Sequence, residues 1–198
     1  MGLDLDNIHG STLLDDDEKE GLKIKSITTR QELDEFEQQN IEKAWLWLKR
    51  KKLSAEDILS EKFVRELHRH MYADVWKWAG EFRKTNKNIG VDKHKIAVEL
   101  KQLLDDGLYW IKHNSYPDAE IAIRIKHRIA QIHCFANGNG RHSRLMADII
   151  MEKAFHQPPF TWGAANLIKK GDPRSAYLHA LKKADAGDYR ELIKFAKA

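Results

Sequence analysis

The chain has 198 residues, of which 42% are hydrophobic and 32% charged, and its formal net charge at pH 7 is +4. These values are typical of one compact globular domain, and no run of eighteen apolar residues exists that could span a membrane. The modest positive charge permits an anionic partner but gives no ground for predicting direct nucleic-acid binding. The basic run LKRKK (residues 48–52) is interpreted as a solvated helix end.

The first 28 residues form an acidic lead that begins MGLDLDNIHGSTLLDDDEKEGL. This lead lacks the basic start, apolar core and small-residue cleavage site of a secretory signal. The single cysteine, Cys134, cannot form an internal disulfide, as expected in a reducing compartment. We therefore expect a cytoplasmic protein with an acidic lead at 1–28, open to an inhibitory role, and one globular domain at 29–198.

Helical periodicity extends over most of this domain. Thr29 and Glu32 have capping-box spacing and predict a helix over 30–51, while Ser54 and Asp57 predict a second that ends near Tyr72. Further apolar repeats of helical period predict helices over 98–112, 118–132, 138–155, 173–184 and 189–197. The pattern therefore predicts an all-α fold.

Residues 81–98 are the exception, because helical periodicity lapses there. Asn86, Asn88, Gly90 and Asp92 are turn formers set between short β-favouring pieces. This segment is predicted to be a surface loop or one small β-hairpin.

The stretch IHCFANGNGRHSRLMAD (residues 132–148) concentrates the residues most suited to chemistry. One helix is predicted to end near Ile132 and another to begin near Gly140, so that free backbone N–H groups and the helix dipole face the intervening loop. Gly138 and Gly140 allow close approach of a phosphate, and Arg141 and Arg144 supply charged forks for its oxygens. This arrangement favours a polyphosphate site.

His133 lies directly before the glycines and suits a general base. Asn137 and Asn139 offer amide groups to a metal or to phosphate oxygens, whereas Phe135 is better explained as a core anchor. Each residue alone has a plainer explanation, such as a capping histidine, a simple turn or a solvated arginine. Their joint occurrence favours a functional site.

HCFANGNGRHSR resembles the signature of the Fic (Fido) family, H-P-F-x-(D/E)-G-N-G-R-x-x-R. The upstream stretch LHRHMYADVWKWAGEFR is similar to the helix and turn that precede the family's hairpin, so the resemblance covers roughly residues 55–195. It implies an α-helical bundle around a central motif loop and helix, with one small β-hairpin flap.

The resemblance also implies an activity: a protein adenylyltransferase that moves AMP from ATP to a Ser, Thr or Tyr hydroxyl of a target protein, with release of pyrophosphate and help from Mg²⁺. By resemblance, His133 would be the catalytic base. The nucleotide-binding residues would be Gly138, Asn139, Gly140, Arg141 and Arg144. The flap that docks the target would include Lys87, Asn88, Ile89, Gly90 and Val91.

Two departures from the signature matter for function. Cys134 replaces the usual proline, and Asn137 replaces the acidic residue that commonly ligates the metal. An amide oxygen binds a hard cation more weakly than a carboxylate, so Asn137 is at best a weak metal ligand. Two alternatives therefore stay open: a catalytically weak module that binds nucleotide or a partner protein, and a Doc-like phosphotransferase.

Asn137 and the block EGL…ITTRQELDEFEQQNI are similar to the subgroup called mobile mystery protein B. That resemblance implies a bacterial, toxin-antitoxin-like protein with a small helix-turn-helix neighbour, and a homodimer stays open. Many Fic proteins also carry an inhibitory pattern, (S/T)-x-x-x-E-(G/N). Glu20 and Gly21 supply its ending, although Asp16 replaces the Ser or Thr, so Glu20 is hypothesised to pair with Arg144. The alternative is that DDDEKEG is a disordered acidic lead.

Overall fold

A computed structural model describes residues 14–163 and 173–198 of the chain. They form a helical bundle, which confirms the predicted fold class. The helices are α1 Asp16–Glu20, α2 Arg30–Lys49, α3 Ala55–Ile58, α4 Glu61–Tyr72, α5 Ile96–His113, α6 Asp118–Ile132, α7 Asn139–Ile149, α8 Pro173–Asp185 and α9 Arg190–Ala196. Within these ranges, no helix is both long and apolar enough to cross a membrane.

Side-chain caps determine where the first long helices begin. The Thr29 hydroxyl accepts a hydrogen bond from the Glu32 amide at 3.3 Å, which is the predicted start of α2. The second predicted helix is divided into α3 and α4, because the Ser60 hydroxyl accepts from the Phe63 amide at 3.2 Å and begins a new helix.

Helix α6 is the centre of the bundle and packs against α5, α7 and α9. It spans Asp118–Ile132 as predicted, and it ends because His133 adopts a left-handed backbone with φ 57°. The next helix, α7, begins at Asn139 and continues into a π-helical turn, Ile150–Ala154, where a continuous α-helix had been predicted. The loop between α6 and α7 therefore lies at the heart of the fold.

The predicted β-hairpin is not formed, since the structure contains no strand between residues 84 and 95. The segment instead bends around the Arg83 guanidinium, which donates to the carbonyls of Thr85 (2.8 Å) and Val91. Asn86 adds a bond from the Lys93 amide to its side-chain oxygen at 2.8 Å. Side chains thus make the bonds that paired strands would have made, and the segment ends in a 3₁₀ turn, Lys93–Lys95.

The described part of the acidic lead lies against the bundle. Leu14, Leu22 and Ile27 are buried, and the Lys23 amide donates to the Val75 carbonyl at 2.8 Å. The stretch DDDEKEG forms α1 and its end, so the interpretation of this stretch as a disordered lead is wrong. Residues 1–13 of the predicted lead lie outside the described residues.

Candidate functional site

The loop between α6 and α7 is closed by the side chain of Asn139. Its amide oxygen accepts from the Phe135 amide at 2.9 Å, and its amide nitrogen donates to the Phe135 carbonyl at 2.8 Å. Both residues are buried, with Phe135 fully inside the core as expected of an anchor. The Asn139 side chain therefore points inward and shapes the loop, and only its backbone amide remains for a phosphate.

His68 on α4 supports the same loop from the other side. The Gly80 amide donates to Nδ1 of His68 at 3.0 Å, so Nε2 carries the proton and donates to the Asn137 carbonyl at 3.1 Å. The ring stacks on Phe135 with centroids 3.7 Å apart. Burial lowers the pKa of His68 well below its ordinary value, which keeps the ring neutral. The motif gave no signal for this residue.

The two loop glycines serve different purposes. Gly138 has φ 76°, and a Cβ there would lie 2.5 Å from the ring of Tyr72. Gly140 is exposed in the first turn of α7, and a Cβ there would have no atom within 4 Å. The fold therefore requires Gly138 to be glycine, whereas Gly140 leaves open space beside the helix N-terminus, where an anion is favoured.

His133 lies at the entrance of this loop and is 5% exposed. Burial is the main reason that its pKa is lowered to about 4, and the positive charges of Arg83 and Lys87 lower the pKa further. A hydrogen bond with the backbone of Ala130 raises the pKa, but its effect is smaller than that of burial. The imidazole is therefore neutral at pH 7, which is the form that can accept a proton.

Arg141 is held by α2. Its guanidinium forms an ion pair with Glu37, which is 1% exposed, and lies 5.3 Å from the centre of the Tyr72 ring. The second oxygen of Glu37 accepts from the Trp76 indole at 2.6 Å. Sequence reasoning missed Glu37, although a carboxylate on the buried stripe of α2 could have drawn attention to it.

Arg144, three residues later, faces α8 instead. Its guanidinium lies 5.8 Å from the centre of the Tyr177 ring. Glu20 is exposed, and within the described residues it forms no ion pair with Arg144. The structure therefore does not bring together the predicted inhibitory pair, and the acidic residue that meets a motif arginine is Glu37.

The predicted docking segment lies beside His133, although it is a loop and not a hairpin. The Val91 amide donates to the Ile132 carbonyl at 3.3 Å, and a Cβ on Gly90 would lie 2.7 Å from that of His133. Asn88, Ile89 and Gly90 are exposed. Lys87 is instead covered by α1.

Two carboxylates of the lead bind Lys87, whose side chain is only 3% exposed. Asp15 lies 2.9 Å from Nζ, and Glu18 forms a second ion pair with it. Asp15 also accepts from the Thr85 hydroxyl at 2.6 Å, and the Trp78 indole donates to the Glu18 carbonyl at 3.0 Å. The acidic lead is therefore fastened across the loop that flanks His133.

The residues around the loop do not by themselves form a resident magnesium site. The Asn137 side-chain oxygen accepts from the Gly138 amide at 2.6 Å, and no group of three His, Cys, Asp or Glu converges elsewhere in the described ranges. Mg²⁺ in nucleotide sites is usually shared between one or two carboxylates and the substrate phosphates.

A histidine, a glycine loop and two arginines thus lie between the end of α6 and the first two turns of α7 in a helical domain. Residues 58–151 match the model of the Fic/DOC family. The chain therefore contains a Fic/DOC family domain, as the resemblance of the motif had predicted.

Named relatives and solved structures agree with this assignment. The chain is 30% identical over 138 residues to Protein adenylyltransferase Fic of Drosophila grimshawi, a match that covers 68% of this chain but 27% of that protein. It thus spans about a quarter of the length of the curated relatives it matches.

The fold is similar to Fic-1 from C. elegans, with a TM-score of 0.65 and 24% identity over 80% of this chain and 46% of that one. It is also similar to BepC of Bartonella tribocorum with bound AMPPNP, with a TM-score of 0.65 and 17% identity over 88% and 89% of the two chains.

Proposed function

We propose that this protein is an adenylyltransferase that moves AMP from ATP to a Ser, Thr or Tyr hydroxyl of a target protein. The observation that carries the proposal is the placement of neutral, buried His133 at the start of the loop that leads into the open first turn of α7, at Gly140. The similarity to Protein adenylyltransferase Fic of Drosophila grimshawi supports the same activity.

The transfer would proceed as a single displacement at the α-phosphorus. The target hydroxyl oxygen attacks the α-phosphorus, its proton passes to His133, and the bond between the α-phosphorus and the bridging oxygen breaks to release pyrophosphate. Backbone amides at Asn139 and Gly140, joined by that of Gly138 once it leaves the Asn137 side chain, would hold the α- and β-phosphates at the positive end of α7. Positioning and electrostatic stabilisation would then supply most of the rate.

Arg141 and Arg144 are proposed to hold the outer phosphates. Arg141 can do so only if its pairing with Glu37 is shared or released, because the guanidinium offers a limited set of donors. Lys87, Asn88, Ile89, Gly90 and Val91 are proposed to dock the target beside His133. Asn137 would contribute one oxygen to the magnesium that accompanies ATP, and Mg²⁺ when bound would neutralise phosphate charge.

Several finer proposals rest on the sequence resemblance. They are membership of the mobile mystery protein B subgroup, a bacterial and cytoplasmic setting, a small helix-turn-helix neighbour, and a homodimer. The division into a lead at 1–28 and a Fic domain at 29–198 is likewise proposed. The ion pairs from α1 to Lys87 support a restraining role for the lead.

A second candidate is a module that binds nucleotide or a partner with little catalysis. Two observations favour this binding module: Arg141 is ion-paired with Glu37, and Asn137 supplies an amide where a carboxylate is usual. A Doc-like phosphotransferase differs from both in which phosphate is transferred.

The deciding experiment offers ATP labelled on the α- or the γ-phosphate, with Mg²⁺, to wild type and His133→Ala, alone and with a bacterial lysate. The matched control is His113→Ala, an exposed histidine at the end of α5. We expect protein-bound label from the α-phosphate only, lost in His133→Ala and kept in His113→Ala. Label from the γ-phosphate alone would indicate phosphorylation, and no label with ATP still bound would indicate the binding module.

A further inference from the structure

Lys126 is a fully buried lysine on α6, two turns before His133. Its Nζ donates to the Tyr177 hydroxyl at 2.5 Å and lies 4.8 Å from the centre of that ring. Among residues 14–163 and 175–198, no carboxylate lies within ion-pair distance of it. Buried ammonium groups normally have such a partner, so a lysine whose hydrogen-bond partner among the described residues is a phenol requires an explanation.

A second cation, the Arg144 guanidinium on α7, lies beside the same tyrosine, 5.8 Å from the centre of its ring. An aromatic ring attracts a cation at this distance, so Tyr177 contacts Lys126 through its hydroxyl and Arg144 through its ring. Burial raises the pKa of Tyr177, but Lys126 and Arg144 outweigh it and lower the pKa, as expected of an oxygen that faces two positive charges.

The three side chains therefore form a chain of contacts from α6 through α8 to α7. Lys126 fixes the orientation of Tyr177 because its ammonium donates to the hydroxyl. The ring of Tyr177 is thereby held beside the Arg144 guanidinium. Phe195 of α9 packs on the other part of that ring, with centroids 5.3 Å apart, so the tyrosine itself has little freedom.

We propose that Lys126 and Tyr177 are positioning residues that hold the Arg144 guanidinium in place for the outer phosphates of a nucleoside triphosphate. This inference rests on the proposed function in one respect, namely that Arg144 meets those phosphates. Neither Lys126 nor Tyr177 touches the reacting atoms. They restrict the Arg144 side chain before the nucleotide binds, so that less conformational entropy is lost on binding.

Calorimetric titration of ATP and of AMP into matched variants tests the inference. We expect Tyr177→Phe, which keeps the ring but removes the oxygen through which Lys126 fixes it beside Arg144, to weaken ATP binding by about tenfold. AMP binding should change by less than about twofold, because AMP lacks the outer phosphates. Lys126→Met should act in the same direction, and Tyr109→Phe, at an exposed tyrosine of α5, should have no effect.

A double variant shows whether Tyr177 acts through Arg144. Once Arg144→Ala has removed the guanidinium, adding Tyr177→Phe should produce no further loss of ATP affinity. An additive loss, an equal loss for ATP and AMP, or an unchanged ATP affinity in folded Tyr177→Phe would each overturn the inference. Wild type that binds neither nucleotide would overturn the proposed function as well, whereas nucleotide binding without AMP transfer would reject adenylyl transfer alone.

Discussion

Glu37 on α2 and Arg141 on the first turn of α7 form an ion pair that links residues 104 positions apart in the chain. The carboxylate is buried, and the guanidinium it holds is one that a phosphate would need. We predict that Glu37→Gln, which keeps the size of the side chain and an acceptor for Trp76, raises ATP affinity by about tenfold. Calorimetric titration measures this change.

Two controls separate this effect from a general change in charge. Glu35→Gln removes an exposed carboxylate from the same helix, and Glu20→Gly removes the one that the motif pattern had indicated. We expect neither to change ATP affinity. If ATP bound more weakly to Glu37→Gln than to wild type, Glu37 would be a support for Arg141 and not its competitor.

Asn139 is predicted to stabilise the loop more than it binds nucleotide through its side chain. Asn139→Ala would leave the amide and the carbonyl of Phe135 without partners inside the core. We expect the free energy of unfolding to fall by about 2–4 kcal/mol, as measured in urea. Asn137→Ala is the comparison, since its partly exposed side chain makes one local bond. Equal losses would show that the buried ring of bonds is not the source of stability.

Lys87 is predicted to fasten the docking loop to the acidic lead. Lys87→Glu would place a third negative charge beside Asp15 and Glu18 and release the loop. We expect hydrogen exchange at the amides of residues 84–92 to become faster. The control is Lys84→Glu, an exposed lysine of the same loop, and unchanged exchange in Lys87→Glu would contradict the restraint.

His142 is predicted to make the protein less stable in acid. Burial lowers its pKa from an ordinary value of 6.5 to about 4. Between these two pH values the imidazole is protonated in the unfolded chain and neutral in the folded chain. Stability is therefore lost as the pH falls from 6.5 towards 4. His142→Gln keeps a donor for the Val64 carbonyl but does not titrate, and we expect its unfolding free energy to fall less steeply over that range.

Asp148 has the opposite effect on the pH dependence of stability. Burial raises its pKa to about 7, so its contribution to the free energy of unfolding falls as the pH rises from 3.8 towards 7. Asp148 is present in wild type and in His142→Gln, so the difference between the unfolding free energies of these two proteins, measured in urea, reports His142 alone. The exposed variant His113→Gln should follow wild type. A slope for His142→Gln equal to that of wild type would mean that His142 does not titrate in this range.

The sequence was sufficient for features that depend on local order. The span of α6 follows from its apolar repeat and from Pro117 before it, and the start of α2 follows from the hydrogen bonds of Thr29 and Glu32. The loop before α7 was likewise predictable, because the two glycines and the two arginines lie close together within residues 138–144.

Contacts between distant side chains could not be predicted in this way. The hairpin prediction failed because one guanidinium, that of Arg83, replaces the bonds between strands, and no periodic pattern encodes such a contact. Glu37 and Tyr177 reach the motif arginines only through tertiary packing, in which α2 lies on α4 and α8 on α9. Asn139 was expected to face a ligand, but its amide is complementary to the backbone of Phe135 and turns inward.

The claim that the first turn of α7 is a phosphate site is tested most directly at Gly140. Gly140→Ala adds one methyl group to open space in a helix, so we expect a thermal midpoint equal to or above that of wild type. The methyl group would meet the phosphates, and ATP affinity should fall at least about tenfold. A stable Gly140→Ala protein that binds ATP as tightly as wild type would contradict the account.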